Sequence, residues 1–423
     1  MTTGPGHNRR ADVIVVGAGV IGLSTAYYAL AAGARVTVLE QGDVGAGSSW
    51  GNAGLVVPSY NEPLTDGAAV REGLREVFDP GGFFALRPRL DARLAGWLIH
   101  YLAHCTPRHY RRAVAIFNEL NRETMRLHRE LAADAGGAYA FRETGVLYLY
   151  RERGCWKRGL QAADRIRAAG FRADDLSPPQ LRERVPAAGA AVIGGIHYRD
   201  DAGLEPSLFV QWLAGEVRRR GGRIRTRTEV YGFERNRRRV TALLTTQGRY
   251  RAGQIVLAGG AWLQRLGAWL GVRLPVEGGK GISMTMAGAP AVTRVPLILA
   301  EAHAAVSPMG DRLRLTGLLE LCGLDMTLDP RRVRGIHRAV RRYLRDVPSL
   351  DEAQVWRGLR PCTPDGLPML GRLDTPDNVL VAGGHDTKGV SLAPVTGRLA
   401  AGLLAGDQMA PGLDKALSPR RFR

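Results

Sequence analysis

The chain has 423 residues, 45% hydrophobic and 23% charged, more than one core usually organises, so two folded units are expected. A formal charge of +19 invites a nucleic-acid or anionic-membrane partner, but only four of the 59 basic residues are lysines, at 157, 280, 388 and 415, and the arginines are scattered with no recognised binding motif, which argues against nucleic acid. Four cysteines, at 105, 155, 322 and 362, show neither close pairing nor ligand spacing, so no disulfide scaffold and no metal site is suggested, and a reducing cytoplasm fits.

Met1 to Arg10 is polar, and the apolar run behind it is broken by three glycines within six residues, so it reads as a tail before a buried strand and turn, not a signal peptide. No run of eighteen uninterrupted apolar residues predicts a membrane span. Residues 13–16 predict a strand, Gly17-Ala-Gly19-Val-Ile-Gly22 a turn, a helix runs through Leu30, Gly33 turns the chain, and a second strand ends at Glu40. This is a dinucleotide fingerprint in its proper setting. Gly17 makes the tight turn, Gly19 lets backbone approach a pyrophosphate, Gly22 lets helix and strand close, and Glu40 can bond a ribose hydroxyl.

The stretch from Gly45 to Gly54 is rich in glycine and small polar residues, a loop able to lie flat against a planar ring and offer N–H groups. Helical spacing follows from Leu90 to Cys105 and from Arg111 to Ala135, with Phe117, Leu120 and Leu131 on one face. Gly145 to Tyr150 alternates as a strand, a helix follows near Trp156 to Ala169, and Ser177-Pro-Pro opens a short one. The turn Asp201 to Ser207 caps a helix from about Leu208 to Arg220. Strands near 224–228, 240–246 and 255–257 then close on Ala258-Gly-Gly-Ala-Trp262, so the nucleotide-binding unit is discontinuous in sequence. Residues 275–320 look strand-rich and 329–346 helical. In Gly358 to Gly371, Arg360 occupies a proline-stiffened strand end ahead of Gly383-Gly-His-Asp-Thr-Lys-Gly389, where it can hold a carboxylate against a bound cofactor. The basic tail Pro419 to Arg423 reads as frayed and solvated, with peripheral membrane binding as its alternative.

A lone GxGxxG is shared by NAD, NADP and FAD proteins, but these blocks in this order resemble the FAD-dependent D-amino acid oxidase superfamily, which includes glycine oxidase, monomeric sarcosine oxidase and the bacterial D-amino acid dehydrogenases. The likeness covers nearly the whole chain, and Asn52 to Ser59 is most similar to the dehydrogenase branch. It implies an α/β fold: a Rossmann-like FAD-binding domain (11–90, 200–265 and 356–412) interleaved with an α+β, antiparallel-sheet substrate domain (91–199 and 266–355), glycine-oxidase-like, with flexible tails at 1–10 and 413–423. It implies noncovalent FAD, because Gly358 stands where sarcosine oxidase has its flavin-linked cysteine and Cys362 falls four residues later.

On this resemblance the cofactor set is Gly17, Gly19, Val20, Ile21, Gly22, Glu40, Gln41, Ser48, Ser49, Asn52, Ala53, Gly54, Leu55, Val230, Gly259, Trp262, Arg360, Gly384, His385, Thr387, Lys388 and Gly389. Arg360 binds the substrate carboxylate by two parallel charge-assisted bonds, or else forms an ion pair on a strand end. Lys388 is a second carboxylate contact or a solvated lysine; His385 is an acid–base group or a packing contact at the flavin edge. Glu301 and His303 roof the substrate pocket. Lys280 matches a dehydrogenase Lys-Gly pair or is structural, and Arg314 replaces an oxygen-activating lysine or pairs with Glu320. The implied reaction is hydride transfer from Cα of an amino acid (D-, N-substituted or cyclic) to flavin N5, giving an imine that hydrolyses to a 2-oxo acid and ammonia or an amine. Oxygen, a quinone or a carrier protein takes the electrons, and a homodimer is compatible. The rivals are a flavin monooxygenase, for which no second nucleotide fingerprint is present, and an FAD-carrying electron-transfer subunit.

Overall fold

The computed structural model describes residues 10–65 and 83–422, and two large sheets share that chain by turns. In the first, five strands run parallel in the order Arg223–Arg225, Val36–Leu39, Arg10–Val16, Gly248–Leu257, Val379–Gly383. Arg10–Val16 is central, with Val13 paired to Val36 on one side and to Gln254 on the other. Val13 and Val15 enter a core shared with the helices Val20–Ala31 and Gly389–Ala405, while Ile14 and Val16 enter the opposite core with Leu263, Leu266 and Leu270. Burial of both faces explains why this strand is continuously apolar instead of alternating.

Gly248–Leu257 changes partners along its length, antiparallel to Val240–Thr245 at its start and parallel to the first strand beyond. Val230–Arg235 completes that antiparallel meander.

The second sheet has nine strands and is largely antiparallel. At one end Glu277–Ala287 lies between Arg312–Leu321 and Gln354–Cys362; the sheet continues through Ala304–Met309, Leu297–Leu299, Val146–Tyr150 and Gly194–Tyr198 to Ala173–Leu176. Met284, Leu313 and Leu315 form its core with Val333 and Val340 of the helix Pro330–Arg341. Phe84–Leu86 and Gln354–Cys362, which boundaries at residues 90 and 356 would place wholly or mostly with the first sheet, pair instead into the second.

The tail expected at 413–423 is ordered through residue 422. Pro411–Leu417 is helical, Pro419–Phe422 forms a 3-10 turn, and Phe422 is buried. The Arg421 guanidinium forks onto Asp365 at 2.6 and 3.1 Å, so a buried carboxylate holds the arginine that composition alone assigns to solvent. The tail expected before residue 10 lies outside the described residues.

Candidate active site

A continuous cavity of about 1300 Å³ is lined by residues of both sheets. It begins at the fingerprint turn, where Gly17 has φ +110° and a Cβ would stand 2.5 Å from the Ala258 carbonyl oxygen. At Gly22 a Cβ would lie 1.9 Å from the Gly17 oxygen, so only glycine lets the helix Val20–Ala31 start this close to the strand. That start presents the positive end of a helix dipole to the cavity. Ser49 Oγ accepts the Val20 N–H at 3.0 Å, tying the following loop to it. Glu40 accepts the Ala18 and Gly42 N–H groups, each at 2.8 Å, one on each carboxylate oxygen.

The loop between Gly45 and Gly54 forms the next wall, and Arg314 braces it from behind. Its Nη1 donates to the carbonyls of Trp50 (3.3 Å) and Asn52 (3.0 Å), and its Nε to Thr285 Oγ1 (3.0 Å). Arg314 therefore does not pair with Glu320. Burial lowers its pKa to about 10, still charged at neutral pH. Glu320 instead meets Lys280 at 2.9 Å, with Asp325 at 3.3 Å, so Lys280 takes its structural role.

Arg360 projects from Gln354–Cys362, paired in register with Gly279. Its Nη1 donates to Leu318 O at 2.6 Å, a carbonyl presented by a residue at φ +69°. The guanidinium lies flat over Gly281, where a Cβ would come within 2.4 Å of it. Burial lowers its pKa, and among the described residues no carboxylate forms an ion pair with it. A guanidinium held only by a neutral carbonyl keeps its charge available to an anion in the cavity.

Behind it the chain turns through His385 and Asp386 into the helix Gly389–Ala405. His385 Nε2 and Thr396 Oγ1 are 2.9 Å apart; burial drives the imidazole pKa down to about 3, so the ring is neutral, with Nδ1 unpartnered. Lys388 turns away from the cavity. Its Nζ donates to Glu62 O at 2.9 Å and lies 4.1 Å from the Tyr60 ring centroid and 4.7 Å from that of Phe117. It is neither solvated nor on the cavity wall, and burial lowers its pKa to about 8.

Of the residues expected to hold the cofactor, all line this cavity except Gly22, Gly54, Gly384 and Lys388. The first three are packing glycines: a Cβ at Gly54 would meet Leu204 O at 2.1 Å, and one at Gly384 would meet Thr363 Cγ2 at 2.5 Å. His303 lines the cavity, its ring 4.9 Å from that of Phe83. Glu301 does not. Its carboxylate accepts the N–H groups of Arg151 (3.1 Å) and Glu152 (3.0 Å) and the Tyr343 hydroxyl, capping the start of Arg153–Ala168.

Sequence reasoning missed Tyr60, Glu62, Tyr148, Tyr198 and Asp386, all on the wall. Tyr148 stands in the alternating strand Val146–Tyr150 and packs edge-on to Tyr198 at 5.0 Å, so its period-two position was readable. Glu62 accepts from the Tyr110 hydroxyl at 2.6 Å and Arg165 at 2.9 Å, partners no local pattern announces. Asp386 sat inside a block already singled out.

The sequence matches the family profile described as DAO, FAD dependent oxidoreductase, over residues 12–403. The chain belongs to this FAD-dependent oxidoreductase family. Among its relatives, a D-amino acid dehydrogenase of Paramagnetospirillum magneticum is 33% identical, covering 95% of this chain and 97% of that protein. One of Methylobacterium radiotolerans is 34% identical, covering 93% and 96%. Glycine oxidase from Bacillus cereus shares the family fold at TM-score 0.76 and 21% identity, covering 96% of this chain and 98% of that one. L-proline dehydrogenase from P. horikoshii does so at 0.75 and 20% identity, covering 98% of each. The α/β reading and the FAD assignment made from the motif blocks therefore stand. Among the described residues, no helix is long and apolar enough to cross a membrane.

Proposed function

We propose that this member of the FAD-dependent oxidoreductase family oxidises the C–N bond of an amino acid at Cα. The imine product hydrolyses to a 2-oxo acid and ammonia or an amine. FAD, when bound, would supply the two-electron acceptor for this oxidation. The cavity fits that cofactor: glycine-lined at the fingerprint, long enough to reach both sheets, and edged by the buried, unpartnered Nδ1 of His385. Gly17 to Ile21 would hold the pyrophosphate, Glu40 the ribose, and Ser48 to Asn52 with Thr387 and Gly389 the ring. The first sheet with its helices would form the FAD unit and the second sheet the substrate unit. The electron acceptor, oxygen or a quinone or carrier protein, is part of the same proposal.

The observation that carries this reading is Arg360, a buried guanidinium on the cavity wall whose hydrogen bond goes to a carbonyl and which has no carboxylate partner among the described residues. A substrate carboxylate completes it, and the two parallel bonds fix the direction of the Cα–H. Hydride transfer depends on alignment more than on a strong base, which suits a neutral His385. The test is anaerobic bleaching of the FAD-loaded protein against D-, N-methyl and cyclic amino acids, repeated in air with peroxide detection to separate the acceptors. Arg360→Ala should lower kcat/KM about a thousandfold, as loss of a desolvated charge pair worth roughly 4 kcal/mol requires. Unchanged kcat/KM for a carboxylate substrate removes the assignment.

A further inference from the structure

Among the described residues, three carboxylates line the cavity: Glu40, Glu62 and Asp386. Glu40 is occupied by two backbone N–H groups, and Glu62 by Arg165 and the Tyr110 hydroxyl. Asp386 is different. It is 6% exposed, and among the described residues its carboxylate meets one side-chain donor, the Cys362 thiol, with no cation paired to it and no backbone N–H bonded to it. Its backbone holds φ +54°, a left-handed conformation free of strain for glycine and costly for most other residues, and its N–H donates to Pro361 O at 3.1 Å. A thiol is a weak donor, and leaving a buried carboxylate with nothing stronger is expensive unless a ligand supplies further donors.

The surroundings say which donors. Arg360 and the Cys362 thiol face Asp386 from the strand Gln354–Cys362, Asp365 from the loop after it, Lys388 from its own turn, and Tyr60 from the opposite loop. Arg360 and Asp386 thus give the cavity an adjacent positive and negative group. An amino acid zwitterion carries its carboxylate and its ammonium on one carbon and presents the complementary pair. We propose that Asp386 binds the substrate's amino group and takes from it the proton that must leave before the Cα–H departs as hydride.

The proposal rests on the amino acid reading above and assigns the second half of substrate recognition. The bookkeeping is complete: an ammonium N–H bond breaks and its proton passes to a carboxylate oxygen, leaving a neutral amine. The Cα–H then leaves with its electron pair to FAD as the nitrogen lone pair forms the C=N bond, and the resulting iminium is hydrolysed by water. Burial raises the Asp386 carboxyl to about 6, against the opposing effects of Cys362, Lys388 and Arg360, so it is mostly ionised at neutral pH and basic enough to take a proton.

The test compares wild type with Asp386→Asn and Asp386→Gly, all FAD-loaded, the glycine variant being free of backbone strain. Two readouts are taken. One is anaerobic flavin reduction by the amino acid that reduces wild type fastest, from pH 6 to 10. The other is the Kd of propanoate, an acid without an amine, from its perturbation of the flavin spectrum. The expected result is a loss of roughly a hundredfold in reduction efficiency near pH 7 in both variants. It should shrink toward pH 10, where the substrate amine is already neutral, while the propanoate Kd stays within about twofold. Equal weakening of propanoate, or a loss with no recovery at high pH, overturns the proposal, as does unchanged reduction near pH 7. A wild type reduced by none of the amino acids overturns the functional reading and this inference together; a wild type reduced normally beside indifferent variants overturns this inference alone.

Discussion

The position of one guanidinium is set by the absence of one methyl group. A Cβ at Gly281 would approach the Arg360 Nη1, Cζ and Nη2 atoms at 2.4–2.6 Å, and those atoms end a flexible side chain, so the chain can fold around the addition by moving the guanidinium off its seat. Gly281→Ala should therefore leave the melting temperature nearly unchanged and lower kcat/KM about a hundredfold, as expected for a misplacement near 1 Å. A variant equally active, or one that fails to fold, would show that the close packing does not set the aim of Arg360. Lys388 gives a residue-scale prediction of opposite kind. Its folded pKa is about 8 against an ordinary 10.5, because burial disfavours the ammonium more than Asp386 and Glu62 favour it. The unfolded chain then binds more protons than the folded one between those values, so stability rises with pH across that window and the cost of the buried charge is constant below it. Wild type should gain on the order of 2 kcal/mol between pH 7.5 and 10 relative to Lys388→Met, read from denaturant midpoints. Parallel curves would mean that Lys388 stays charged throughout.

At the scale of elements, the loop from Gly45 to Gly54 depends on a residue far away in sequence. Arg314 spans from Arg312–Leu321 to the carbonyls of Trp50 and Asn52, so two units of structure share one buried cation. Arg314→Met keeps the length and removes the donors, leaving two carbonyls unmatched. FAD affinity should fall roughly tenfold to a hundredfold, about 1–3 kcal/mol, measured as Kd by titrating apoprotein, with the helical signal retained. This coupling was not legible beforehand, since nothing near residue 50 names position 314. Elements with an apolar period were legible: the helix after the fingerprint and that ending at Ala135 lie where their spacing puts them, because tertiary burial reinforces the local pattern. The strands Ala173–Leu176 and Val230–Arg235 were not, since Asp174, Asp175, Glu234 and Arg235 interrupt any apolar alternation and the pairing is decided by neighbours. Gly248–Leu257 begins earlier than its apolar end suggests, for the same reason. In the site, residues within glycine-bearing blocks could be read because glycine reports a backbone demand. Tyr60 and Glu62 could not, because a loop side chain declares its direction only once the chain is folded.

At the scale of the molecule, the last residues close the structure onto the segment that carries Arg360. Arg421 grips Asp365 and also donates to Leu367 O at 2.7 Å, so the C-terminal turn is fastened to the loop that follows Arg360-Pro-Cys362. Both side chains are largely buried, at 12% and 3% exposure, which removes most of the screening that makes surface pairs weak. Burial by itself would raise the Asp365 carboxyl; the Arg421 charge and the Leu367 N–H outweigh it and hold the pKa below 3.8. A carboxylate with a depressed folded pKa contributes stability that is fully present above its unfolded pKa and is lost as pH falls through the folded one. Arg421→Ala, in the FAD-loaded chain, should thus cost about 3 kcal/mol at pH 7, the usual result of leaving a buried charge unpaired. The difference from wild type should narrow below about pH 4, where a carboxyl freed of its partner protonates and the wild-type pair is itself being lost. Urea midpoints at pH 7 and pH 3.5 decide it. A gap of equal size at both values would mean that Arg421 acts through packing on Phe422 and not through the carboxylate. No gap at pH 7 would mean that the C-terminal turn is dispensable to the fold that surrounds the cavity.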